Sequence, residues 1–392
     1  MDAITATNND LDMNPLVNTV LLTTRGWTDT NRNFVPDCDL MNPAANGECA
    51  RMDNQNLGRP AINRFFDPDF VSGWGARPHN WSLGLGVQHE VMPRVSVTAS
   101  FIRNWWGNWY VVDNRATSAE DYTPFSIQAP LDPRLPGGGG YTIGGLYNLV
   151  PSKVGLVDEL AQSSRNFGEQ TENWQGFDVS VVARLDMGLT LHGGTSTGRR
   201  LADACDVRAR LPELGTGPTG RANSSVTARV EVTTARGALS VTNPWCRVAE
   251  PYRTDFRGLA TYTIPRLDVQ VAATWASTPG DSLEANFVAT NEWIAAGPQP
   301  LGRPLTGASN VTVNLIQPFT AFAERRNNVD LRVVKILRYG GMRSQVGVDV
   351  FNLLNNDVVT NRNEGFVPGG TWLRPTQIQP ARYARINAQI DW

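Results

Sequence analysis

Tyr383-Ala384-Arg385-Ile386-Asn387-Ala388-Gln389-Ile390-Asp391-Trp392 closes the sequence. Ala384, Ile386, Ala388, Ile390 and Trp392 are apolar, and the residues between them carry polar groups. Successive side chains of a strand point to opposite faces, so the spacing predicts a β-strand with one apolar and one wet face. Moving back along the chain, the same alternation recurs in Trp81, Leu83, Leu85 and Val87, and then in Val95, Val97, Ala99 and Phe101. Phe177, Val179, Val181, Ala183 and Leu185 repeat it, as do Leu267, Val269, Val271, Ala273 and Trp275. Helical spacing of this quality is absent from the sequence.

The connections fall into two length classes. Short turns stand at Val91-Met92-Pro93, Asp186-Met187-Gly188, Ile264-Pro265-Arg266 and Gly340-Gly341-Met342. Each joins two alternating segments, the mark of a hairpin with Gly or Pro supplying the bend. Between hairpins lie long polar stretches rich in Gly, Pro and Asn, at about 113–171, 199–252, 278–327 and 355–380. Compact soluble domains seldom carry structureless connections of that size. Short turns alternating with long loops are instead the pattern of a transmembrane β-barrel with its turns on the periplasmic side.

The fold class expected is therefore all-β, an antiparallel transmembrane barrel of about 10–12 strands. Hairpins are placed near 79–105, 172–199, 253–277 and 328–354, with a last strand at 381–392. Weaker strand candidates lie near 14–25 and near 285–295 or 310–317. Such a set either closes as a small barrel or is the C-terminal part of a larger one. Trp81, Trp105, Trp106, Trp109, Tyr110, Trp275 and Trp392 stand at strand ends, where an interfacial aromatic girdle would lie. A soluble β-sandwich would bury the same alternation against protein, but it needs no loop of this length at every second connection.

Composition agrees with this reading. The 392 residues hold 35 Lys+Arg against 37 Asp+Glu, a net charge of −2, and only 18% are charged. Interspersed charges near balance lack the basic footprint of a nucleic-acid binder. With 41% hydrophobic residues the chain can bury a core, which argues against disorder. No apolar stretch approaches the ~20 residues a membrane-spanning helix needs. Met1 to Asp12 has neither a basic start nor an apolar core, so the expectation is that any export signal lies outside this sequence.

The run Gly73-Trp74-Gly75-Ala76-Arg77-Pro78-His79-Asn80-Trp81 resembles the C-terminal part of TonB-dependent outer-membrane receptors. So do Val348-Asp349-Val350-Phe351-Asn352-Leu353-Leu354-Asn355-Asn356 and the ending from Pro375 through Trp392. The nearest likeness is to the Oar-like group, which carries a carboxypeptidase-regulatory-like domain, and it covers the chain from about Thr28 onward. That resemblance implies a 22-stranded barrel of the Gram-negative-type cell outer membrane, with a plug domain inside and ligand uptake powered by the TonB complex. It makes Trp392 part of the signal read by the barrel-assembly machinery. On this reading residues 26–78 form a disulfide-bearing, Asp-rich extracellular loop and residues 79–392 are barrel strands and loops. Signal peptide, TonB box and plug are missing from the sequence, so the TonB complex would be reached only through an N-terminal part not included here.

Candidate sites are few. Cys38 and Cys49 lie in one polar loop and Cys205 and Cys246 in another; three pairings are open, and pairing within each loop is the simplest. Oxidising export compartments let such bonds persist. Asp29, Asn31, Asn33, Asp37 and Asp39 place hard oxygens at alternate positions of one loop, which Ca²⁺ prefers. The spacing is similar to EF-hand and thrombospondin type-3 loops, but Phe34 stands where an EF-hand has Gly and Leu40 where it has Glu. A plain Asx-turn loop is the alternative, and calcium is the one cofactor the sequence offers. Trp105, Trp106 and Trp109 could stack a ring-bearing ligand at the barrel mouth, with the girdle role as the alternative.

No catalytic set emerges. His79, His89 and His192 are the only histidines and no nucleophile elbow accompanies them. Gly137-Gly138-Gly139-Gly140 lacks the Lys-Ser/Thr of a phosphate loop. The expected function is uptake of an unidentified ligand by a non-enzymatic outer-membrane receptor, surrounded by outer-membrane lipid. An adhesive or structural barrel that moves nothing is the second reading, and a secreted all-β binding module the third.

Overall fold

Nine long strands carry the alternation: β1 (His79–Met92), β2 (Val95–Gly107), β3 (Thr171–Arg184), β4 (Leu189–Asp203), β5 (Arg253–Ile264), β6 (Val269–Thr278), β7 (Arg326–Tyr339), β8 (Met342–Phe351) and β9 (Tyr383–Asp391). The computed structural model describes residues 20–59, 64–74, 76–215, 241–242, 244–339 and 342–391. Trp392, most of the candidate strand at 14–25, and Gly340 and Gly341 of the last short turn lie outside them.

Each long strand pairs antiparallel with its neighbours in sequence, giving one meander from β1 to β9. The register is regular: all residues of β3 from Thr171 to Arg184 face β4 from Asp203 back to Thr190. The three predicted turns that lie within the described residues appear where expected. Arg94, Gly188 and Arg266 take positive φ of 68°, 86° and 69°, which reverses the chain within a few residues. Arg94 and Asp186 form an ion pair that ties two neighbouring turns together.

With ten strands among the described residues the sheet falls within the 10–12 expected, but the weaker candidates are not its tenth member. Asn286–Thr290 and Asn310–Asn314 are strands, but they pair with each other within the β6–β7 connection and not in the meander. The tenth member among the described residues is the short strand Arg247–Ala249, which pairs with the end of β4. Among the described residues β1 and β9 do not pair, so the all-β antiparallel sheet is present and its closure is not.

The long connections are folded. Phe125, Ile127, Leu135, Ile143 and Leu146 of the β2–β3 connection pack with Phe287, Ile294, Val313, Leu315 and Ile316 of the β6–β7 connection and with Phe366 and Trp372 between β8 and β9. This core lies beyond the end of the meander opposite the short turns. Trp293 Nε1 donates to the Gln128 carbonyl at 2.9 Å, and Trp372 Nε1 to the Glu284 carbonyl at 2.8 Å, so the three connections are also hydrogen-bonded to one another. Both local cysteine pairings are made: Cys38–Cys49 with Cα atoms 5.9 Å apart, and Cys205–Cys246 with 4.9 Å.

Candidate functional site: the polar face of the sheet

Residues directly opposite one another in an antiparallel pair share a face, so the register sorts every strand position. One face collects Leu85, Val87, Phe101, Phe177, Val179, Leu191, Val271, Val333, Val348 and Ile386. No second layer covers it: Val87 is 70% exposed and Ile386 79%. Trp81 and Trp105 stand opposite each other on this face, and Trp275 stacks on Phe256 there with ring centroids 6.0 Å apart.

The other face is polar, and toward each side of the sheet its charges are paired. Asp349 of β8 stands in register between Arg332 of β7 and Arg385 of β9. Its Oδ2 accepts from Arg385 Nη2 at 2.8 Å and from Asn387 Nδ2 at 3.0 Å, and Arg332 Nε lies 3.6 Å from Oδ1. On β3 the buried Glu172 forms an ion pair with Arg200 of β4, its register partner's neighbour across the strands. Asp330 accepts from Asn328 Nδ2 and from the Asn352 backbone N–H, both at 2.9 Å. Desolvated charges are tolerated because each finds a partner.

Midway between these pairs the pattern changes. A recess of about 530 Å³ opens over β3, β4 and β5, lined on the polar face by Asp178, Ser180, His192, Ser196, Asp255 and Arg257. Asp178 and Asp255 both stand opposite Ser196, one on each side. Arg257 lies in the next row, opposite Gly194. Gly194 keeps the floor low, since a Cβ there would come 2.6 Å from the Val179 carbonyl oxygen. Trp174 stands two rows beyond Asp178, on the side away from Arg257, and its indole reaches back across Gly176 and Gly198 in the intervening row; a Cβ on either would meet the ring at 2.5 or 2.4 Å. The sequence reading treated His192 as a lone histidine and did not single out the others. Alternation assigns them to the wet face, but only the register brings Asp178 and Asp255 to either side of Ser196.

The residues singled out from sequence fall elsewhere. Asp29 Oδ1 and Oδ2 accept from the backbone N–H of Asn33 and Phe34, and Asn33 Oδ1 accepts from Val35. Asn31 and Asn33 both turn their amide N–H toward Asp37 Oδ2. Asp39 caps the next turn, accepting from Met41 N at 2.9 Å. Glu48, absent from the sequence reading, holds the loop from below; hydrogen bonds from Thr30, Trp27 and Asp37 bring its carboxyl down to about 2. Among the described residues no group of three or more His, Cys, Asp or Glu side chains is disposed to hold a metal ion. The tryptophan trio is divided: Trp105 is on the apolar face, whereas Trp106 packs on buried Trp109 and Ala204 beside the loops.

No family model matches the sequence, and no curated protein matches it. Among solved structures the chain is similar to the outer membrane transporter YddB from Escherichia coli, at 9% identity and a TM-score of 0.41, covering 79% of this chain and 32% of that one. It is similar to the ferric-catecholate import receptor Fiu of E. coli K12, at 11% identity and a TM-score of 0.36, covering 94% and 40%. A third is the toluene transporter TodX of Pseudomonas putida, at 9% identity and a TM-score of 0.23, covering 80% and 60%. The chain thus spans less than two thirds of the length of each.

Proposed function

We propose that the chain forms part of the wall of an outer-membrane β-barrel of a Gram-negative-type bacterium, and that its polar face lines the path of a solute taken into the cell. The observation that carries this reading is the two-faced meander. A continuous apolar face left open on nine strands is stable in lipid and a liability in water. Between its two edge strands, backbone polar groups are satisfied within the sheet, as the hydrocarbon requires.

The folded connections would then stand at the cell surface, with the short turns in the periplasm. Cys205–Cys246 closes the β4–β5 connection at the same outer end of the strands and Cys38–Cys49 lies in the segment before β1, both in keeping with an oxidising exterior. Through its resemblance to TonB-dependent receptors, the chain is read as a non-enzymatic uptake protein. The TonB complex is the energy source this implies, and the barrel-assembly machinery the folding partner. The hydrophobic core of the surface connections also favours a second reading, an adhesive barrel that presents a rigid binding surface and moves nothing.

Reconstitution into liposomes tests both. For the uptake reading, the protein should enter the membrane fraction, resist alkaline extraction and pass small polar solutes across the bilayer. Insertion without solute flux would leave the adhesive reading. Solubility of the purified chain without detergent would sink every membrane reading.

A further inference from the structure

We infer that the recess over β3, β4 and β5 binds a solute carrying both an ammonium group and a carboxylate, of the amino-acid or short-peptide class, through Asp178, Asp255, Arg257 and Trp174. The inference rests on the polar face being a solute path and names what that path selects.

Unused charge is the first ground. Asp349, Glu172, Asp330 and Arg332 on the same face are tied into ion pairs or hydrogen bonds. Asp178, His192, Asp255 and Arg257 make no ion pair or side-chain hydrogen bond among the described residues, although Asp178 and Asp255 are half-buried. Partly desolvated charges without a partner gain most from a ligand that brings the opposite charge.

The spacing sets the ligand's class. Neighbouring strands are ~4.8 Å apart, so Asp178 and Asp255 stand ~10 Å apart at Cα with Ser196 between them. One ammonium above the Ser196 hydroxyl can be approached by a carboxylate from each side. Arg257 lies two residues along β5 from Asp255, a rise of ~7 Å, and its planar guanidinium can hold a carboxylate through paired N–H bonds. Hence the recess has an acidic end and a basic end separated by about the length of one or two amino-acid residues.

Two further features fit that occupant. Trp174 offers a π-face next to the acidic end, which attracts a cation beyond what the carboxylates supply. Gly194 leaves the floor beside Arg257 free of a side chain, so an extended backbone can lie along it. A purely anionic solute would meet two carboxylates, and an apolar one would leave all four charged or ionisable side chains unpaired.

The test uses trialanine as the probe, titrated calorimetrically into the detergent-solubilised protein. We expect saturable binding that weakens at least tenfold for N-acetyl-trialanine, which lacks only the ammonium charge. An Asp178→Asn/Asp255→Asn double variant should lose binding to the same degree, and Arg257→Gln should lose discrimination between trialanine and its C-terminal amide. Equal affinity for trialanine and its acetylated form, or no binding of either, would overturn the site. The acetylated probe gives this answer even if a variant does not fold. Flux of a neutral sugar through liposomes bearing the same preparation separates the outcomes: flux without trialanine discrimination removes only this site, whereas absence of flux removes the uptake reading.

Discussion

Asn352 shows how one side chain can hold a strand end, a loop and the next strand together. It takes a left-handed conformation, φ 51°, which Asn tolerates better than most residues. Its Nδ2 donates to the carbonyls of Asn356 and Pro380 at 2.8 Å, and its Oδ1 accepts from Asn356 N at 2.9 Å. Only 4% of the residue is exposed, so Asn352→Ala leaves buried carbonyls and an N–H without partners. The expected cost is about 2–4 kcal/mol in chemical denaturation; an unchanged midpoint would refute this role. The residue was visible in the sequence as part of Phe351-Asn352-Leu353-Leu354-Asn355, but its reach to Pro380 was not, because nothing local encodes a contact across 28 positions. The Asp29 loop is the converse, legible as a pattern and undecided in chemistry. For calcium to bind, the Asn31 and Asn33 amides must leave Asp37 and present oxygen. Titrating Ca²⁺ should then give a saturable heat that an Asp29→Ala/Asp37→Ala variant lacks, and equal heats from both would leave a plain Asx-turn loop.

At the level of elements, the nine wall strands were legible because each is long enough to show several turns of alternation. The strands of the surface connections were not. Tyr122–Gln128 contains a proline and a register shift, and Asn286–Thr290 takes one neighbour in parallel from 365–366, far away in sequence. Segments of five to seven residues paired non-locally leave no period to read. Their packing has a titration consequence. Burial, with Glu364 close by adding to it, pushes the Glu284 carboxyl up to about 7, and burial also raises Glu364. A carboxyl whose folded value lies above its ordinary 4.5 binds its proton more tightly in the folded state. The stabilisation is full below about 4.5 and is lost as the pH rises through about 7. The surface connections should accordingly melt at higher temperature at pH 5 than at pH 8, as followed by proteolysis of 279–325. Glu284→Gln should flatten that difference, and a slope of the opposite sign would show that another group governs it.

The strand number governs the whole molecule. Nine antiparallel strands in sequence leave β1 and β9 pointing the same way, so the two edges cannot pair antiparallel with each other. Nor can two copies arranged around a common axis join β1 to β9, since those strands are again parallel. A closed antiparallel wall requires an odd number of further strands, whether from the undescribed residues of this chain or from another, and only closure satisfies the edges in hydrocarbon. Sequence periodicity located the strands but could not supply this parity, because a candidate at 285–295 or 310–317 stood as possible wall until their pairing with each other was known. The edges make the requirement measurable by hydrogen exchange. With the wall completed in a membrane, backbone amides along the outer edges of β1 and β9 should exchange as slowly as those of β4, which has neighbours on both sides. Edge amides that exchange orders of magnitude faster than β4 in the intact membrane would mean an open sheet, and with it no barrel.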